Sequence, residues 1–158
     1  MIRRRRIRPL PWVRDDGGRA TAGFRGHAGD CVTRAIAIAA GLPYRQVYDG
    51  LDEIARHWSC PAGCVGAVGS ARTGLDPAVY RQYLAGLGWV WRPTMAIGTG
   101  CRVHLRAGEL PPGRIITRLS GHLAAVIDGV VRDTEDPGRG GTRCVYGYFR
   151  HPADQEES

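Results

Sequence analysis

The stretch HLAAVIDGVVRD, residues 122–133, constrains the fold more than any other part of the chain. Two β-branched runs flank Asp128-Gly129, a dipeptide that suits the positive φ angles of a two-residue turn, so the stretch predicts an antiparallel hairpin. A turn of that length also sets the register: Ile127 lies opposite Val130, and counting outward Ala124 faces Asp133 while His122 faces Glu135. Side chains alternate along a strand, which puts Asp133 on the same sheet face as His122, one diagonal step away.

RIITRL (114–119) and RCVYGYFR (143–150) extend this strand-rich half, whereas the residues before them follow a helical period. CVTRAIAIAA (31–40) is apolar on nearly every side and Gly41 follows as a stop, so it predicts a central, buried helix. A second helix begins at Pro43, with Tyr44, Val47, Tyr48, Leu51, Ile54, Ala55 and Trp58 on one face and Asp49, Asp52, Glu53 and Arg56 on the other. A third runs from Pro77, capped by Asp76, to about Leu87. Helices first and antiparallel strands second predict an α+β domain. The Gly/Ser-rich stretch of residues 59–75 predicts a long loop forming one wall of a site. Residues 1–28 are expected to form a basic flexible arm, residues 29–151 the folded domain and residues 152–158 a frayed acidic tail.

The net charge of +7 comes from 22 basic residues, all of them arginine, a bias that reads as GC-rich coding. The N-terminal MIRRRRIRPLPWVRDD lacks the apolar run of a secretory signal, and no segment approaches the roughly 20 apolar residues of a membrane span. The expectation is a cytoplasmic protein of a bacterium or phage-infected host, without membrane contact. Five cysteines at irregular spacing predict reduced thiols there instead of a disulfide framework.

Cys31 opens the central helix, where the positive end of the helix dipole favours thiolate over thiol. His122 heads a strand behind Ser120-Gly121, two small residues that leave room beside the ring, and is the best-placed base among five histidines. Asp133 is the expected orienter of His122, with Asp136 second if a bulge shifts the register. His104 is a weaker rival base, lacking a carboxylate on a neighbouring strand.

A Cys at the head of the central helix in a helical half, then a His heading a strand and an Asp on the next one, resembles the papain-like cysteine peptidase fold. DCVTRAIAIA is similar to the Asp-Cys-led helix of the bacteriocin-processing peptidases, and GHLAAVIDGVVRDTEDP to their His-strand-hairpin-Asp segment. DCVTRAIAIAAGLPY, GCRVHL and HLAAVIDGVVRDT also resemble segments of short uncharacterised bacterial and phage proteins. The resemblance covers roughly residues 29–150. It implies a papain-like α+β fold, a helical half with a central Cys-bearing helix packed on a C-terminal antiparallel sheet. It further implies acyl transfer through a thioester on Cys31, with His122 as base and acid and Asp133 as orienter. Papain-like peptidases usually place a Gln a few residues before the Cys as oxyanion donor. GFRGHAGDC has none, so His27 or Arg25 would donate there, together with the Cys31 backbone N–H.

Other chemistries are open at fewer positions. Cys60 and Cys64 with His57 resemble half a metal site, for which Cys101, His104 and Cys144 would be the remaining ligands, but the spacing is irregular and no metal or cofactor is expected. Arg3, Arg4, Arg5 and Arg6 suit nucleic-acid phosphates or an acidic protein, which defines the alternative to a peptide or protein substrate: a catalytically silent binding protein. Trp89 and Trp91 alternate as one strand face and are expected in the core or a groove wall. Gly98 and Gly100 lack the Lys and Ser/Thr of a phosphate loop.

Overall fold

A computed structural model describes residues 6–26, 28–58 and 69–155 of the chain. In order, these form β1 (Trp12–Arg14), α1 (Cys31–Ala40), α2 (Tyr44–His57), β2 (Gly69–Ser70), β3 (Gly74–Leu75), α3 (Pro77–Gly86), β4 (Val90–Pro93), β5 (Val103–His104), β6 (Arg114–Leu119), β7 (His122–Ile127), β8 (Val130–Asp133), β9 (Cys144–Val145) and β10 (Gly147–Arg150). The class is α+β: three helices and a six-stranded sheet of order β1-β8-β7-β6-β10-β4, with two short ribbons, β2-β3 and β5-β9.

Local signals place the helices. Gly41 ends α1 in the left-handed region at φ 67, Pro43 precedes α2, and the Asp76 carboxylate caps α3 by accepting the Ala78 N–H at 2.9 Å. The hairpin forms with both turn residues at positive φ, Asp128 at 48 and Gly129 at 77. Its pairs Ile127↔Val130, Val126↔Val131 and Ala125↔Arg132 give the register counted from the turn.

Helix α1 lies across β7 and β6 and buries Ile36, Ala35 and Ala39 against Ile116, Leu123, Ala125 and Phe149. The opposite face carries a second core of Ile115, Leu119, Ala124, Val126 and Val131, closed by Leu105 and Val145 from the β5-β9 side. Trp89 is buried and Trp91 packs against the first core, as expected of a strand face turned inward.

Three expectations are corrected. Residues 6–26 are not a free arm: β1 runs parallel to β8 with Trp12↔Val131 and Arg14↔Asp133, so the sheet is mixed, not wholly antiparallel. Main-chain bonds hold this strand, Val131 N–H to the Pro11 carbonyl at 2.9 Å and Asp15 N–H to that of Asp133 at 3.0 Å, while Trp12 and Val13 stay exposed. A strand held by its backbone leaves no apolar alternation to find. The C-terminal stretch is tied down through residue 155, because Asp154 accepts the Arg114 N–H at 2.8 Å and Gln155 donates to the Gly88 carbonyl at 3.3 Å. Cys101 and Cys144 form a disulfide across 43 positions, with Cα atoms 5.9 Å apart, so these two thiols are not reduced. The β5-β9 pairing of Val103 with Val145 brings them together, a proximity that linear spacing does not encode. No helix among the described residues is long and apolar enough to cross a membrane.

Candidate active site

Cys31 is the first residue of α1 and is half-buried. The helix leaves its earliest N–H groups, Cys31 included, without intrahelical acceptors. Gly29 allows the approach of the neighbouring ribbon, since a Cβ there would stand 3.2 Å from the Thr73 carbonyl oxygen. The segment is pinned over the helices by Thr33, whose hydroxyl donates to the Ala71 carbonyl at 2.8 Å, and by Asp52, which accepts the Ala71 N–H at 2.8 Å.

His122 reaches Cys31 from the head of β7. Its Nε2 lies 2.6 Å from Asp133 Oδ2, which leaves Nδ1 as the nitrogen no carboxylate engages, and the Cys31 thiol lies near enough for the two groups to shift each other's proton affinity. Burial pushes the Cys31 thiol up, but His122, the Leu123 N–H and the Arg34 charge outweigh it and hold the thiol below its ordinary value. Burial alone would lower His122, yet Asp133 and Cys31 raise it to about 9. The thiol is shifted down and the imidazole up, and both shifts favour a thiolate–imidazolium couple over the neutral pair, with Nε2–H donating to Asp133.

Asp133 is buried, and its remaining oxygen accepts the Thr134 N–H at 2.7 Å and meets Arg34 Nη2 at 3.5 Å. Arg34 stands one turn beyond Cys31 on α1 and also pairs with Asp30, which is 1 % exposed. Asp30 in turn accepts the Tyr44 hydroxyl at 2.5 Å and meets Arg19 Nε at 3.1 Å. Burial and the Asp30 carboxylate hold the Tyr44 phenol above its usual range, so it remains a donor. The Trp12 indole donates to the Asp133 carbonyl at 3.2 Å, which fixes the main chain behind the carboxylate.

A cleft of about 560 Å³ opens on the sulfur side, bounded by Cys31, His122, Gly74, Leu75, Tyr80 and Arg118. A hollow of about 750 Å³ lies on the other side of the imidazole and mixes arginines with carboxylates, among them Arg14, Arg143, Asp16 and Glu135.

The structure thus brings Cys31, His122 and Asp133 together. Asp136 borders the larger hollow but is exposed and accepts the Gly138 N–H at 2.9 Å, without a bond to His122. Arg25 is exposed and lines neither cavity; its carbonyl accepts from Arg19 and Arg72. His27, Arg3, Arg4, Arg5, Cys60 and Cys64 lie outside the described residues, and Arg6 is exposed. His104 pairs with Glu109 at 3.2 Å on the β5-β9 ribbon, and no group of three metal-ligating side chains occurs among the described residues.

Sequence pattern assigns no site role to Arg34, Asp30, Arg19 or Trp12, and places Tyr44 only on the apolar face of the second helix. Arg34 carried a signal, as the one charged residue of an otherwise apolar helix, four positions after Asp30 and three after Cys31, on a shared face. Compared with protein-family models, curated proteins and solved structures, the chain matches none.

Proposed function

We propose that the chain is a papain-like cysteine hydrolase that cleaves a peptide, isopeptide or related amide through a thioester on Cys31. The observation that supports this reading is the His122 Nε2 to Asp133 Oδ2 bond at 2.6 Å, with His122 and the helix-leading Cys31 bordering one cleft and each shifting the other's proton affinity.

In the first step the Cys31 thiolate adds to the carbonyl carbon, and the Cys31 N–H at the helix N-terminus donates to the developing oxyanion. His122 Nδ1–H then protonates the departing amine as the C–N bond breaks, which leaves a thioester and a neutral imidazole. Water entering the cleft gives one proton to that imidazole and adds to the thioester. The C–S bond breaks, the acid departs, and the thiolate–imidazolium couple is restored. Asp133 holds the ring in place and stabilises the imidazolium throughout. An amine in place of water would make the same residues an acyl transferase.

The test is a brief pulse of iodoacetamide at about pH 6, where ordinary thiols are almost fully protonated, read by intact mass on the wild type, Cys31→Ala and His122→Ala. Labelling of Cys31 well ahead of Cys60 and Cys64, absent in the first variant and strongly slowed in the second, is expected. Equal labelling of all three would make Cys31 a packed structural thiol and remove the reading.

A further inference from the structure

The cleft beside Cys31 has an uneven charge inventory. Among the described residues, two guanidinium groups border it, from Arg34 and Arg118, and no aspartate or glutamate does. Arg34 is occupied by Asp30 and Asp133. Arg118 has no carboxylate within ion-pair distance and no side-chain hydrogen bond among the described residues. It is half-buried, so its charge faces the cleft with less water around it than an ordinary surface arginine has.

Its position follows from the sheet. On β6 it is paired with Leu123, one position along from the Leu119↔His122 pair. Alternation puts Arg118 on the face of Ile116, Leu123 and Ala125, the face that α1 covers. The guanidinium therefore rises from the floor of the cleft on the same side as the nucleophile. Tyr80, from α3, borders the same cleft. Burial holds its phenol above the usual range, and both the Arg118 and Cys31 charges act on it, so the hydroxyl lies within electrostatic reach of the two groups.

An unpaired guanidinium in a cleft without acids is a receptor for an anion, and its planar fork matches a carboxylate. A phosphate dianion would call for more than one uncommitted cation, whereas here the second arginine is already paired. We infer that the substrate carries a carboxylate close to the acyl group that Cys31 attacks, and that Arg118 selects it. This rests on Cys31 being the nucleophile of the proposed hydrolase.

Two alkylating reagents of nearly equal size and the same leaving group read the selection directly, iodoacetate with a carboxylate and iodoacetamide without one. The readout is the ratio of their rate constants at Cys31, referred to the same ratio for glutathione. In the wild type this relative ratio is expected above one. Replacement of Arg118 by Gln lowers it roughly fivefold, as expected for a partly exposed ion pair, and Arg118→Lys restores most of it. Because each variant is its own control through the neutral reagent, a change in folding or in thiol basicity does not imitate the result. A ratio unchanged in Arg118→Gln overturns the inference and leaves the nucleophile standing. Failure of both reagents to select Cys31 overturns the nucleophile and the inference with it.

Protection against iodoacetamide separates two sources of the carboxylate. N-acetylglutamate α-amide presents it on a side chain and N-acetylalanine at a chain end. Slower labelling by either one, lost in Arg118→Gln, supports the inference and names the source. Protection by neither, or stronger protection by inorganic phosphate, overturns it.

Discussion

Replacement of Cys31 by Ala should change how stability depends on pH, because the Cys31–His122 couple contains two opposing titrations. His122 is raised from 6.5 to about 9, so taken singly it adds stability that is fully present below pH 6.5 and is lost as pH rises through about 9. Cys31 is lowered from 9.0, so taken singly it adds stability that is present above pH 9.0 and is lost as pH falls through its folded value. Each slope is about 1.4 kcal/mol per pH unit, and where the two windows overlap they cancel. Over that overlap the folded state has lost the thiol proton and the unfolded state has lost the imidazole proton, so both bind the same number. In Cys31→Ala the rising slope is gone, while the Asp133 hydrogen bond and charge still raise His122, by less than in the wild type. The variant should therefore lose on the order of 1–2 kcal/mol between pH 6.5 and 9 that the wild type keeps. Urea unfolding of both proteins at several pH values measures this, and the difference between the curves removes every group that titrates alike in the two. The difference should widen with pH. A constant or narrowing difference would show that Cys31 and His122 do not share a proton in the folded protein, and the thiolate–imidazolium account would fail.

Arg34→Met leaves Asp30 and Asp133 without the guanidinium that bridges them and should cost on the order of 3 kcal/mol, the usual scale for breaking a buried pair from one side. Urea unfolding at pH 7 measures the loss, and a shift in the His122 titration followed by NMR in the same variant separates positioning of Asp133 from simple destabilisation; a loss below about 0.5 kcal/mol would make the bridge a surface-grade contact. Reduction of the Cys101–Cys144 disulfide should lower stability by about 2–4 kcal/mol, seen as a lower urea midpoint and as two further alkylated thiols by mass. Unchanged alkylation on reduction would show that the pair is not bonded.

The hairpin and its register were legible because their causes are local. Asp128-Gly129 dictates the turn, the turn dictates the pairing, and the pairing puts Asp133 diagonally from His122. The helices were legible for the same reason, through Gly41, Pro43 and Asp76. What stayed hidden depends on contacts between distant segments. Strand β1 carries its apolar side chains to solvent and joins the sheet through main-chain bonds, so no pattern distinguishes it from an arm. The disulfide depends on the β5-β9 ribbon, which brings together two short strands far apart in the chain.

The same distinction explains why the reacting atoms were easier to foresee than the groups that hold them. A nucleophile needs a particular chemistry at one position, and a Cys at a helix start or a His at a strand head declares it in the residue name. A supporting charge declares nothing until its partner is in place. Asp30 looks like an ordinary N-cap, yet its side chain makes no cap bond and instead holds Arg34, Tyr44 and Arg19. Arg34 then carries that arrangement from the helix to Asp133 on β8, so the helical layer and the sheet meet through a salt-bridge network beside His122. Buried charges arranged in this way contribute little net stability compared with apolar packing, but each is costly to leave unpaired. A displacement of α1 against the sheet would break the Arg34–Asp133 pair, and for that reason the network resists movement of Cys31 relative to His122 more firmly than apolar packing alone, which tolerates small shifts.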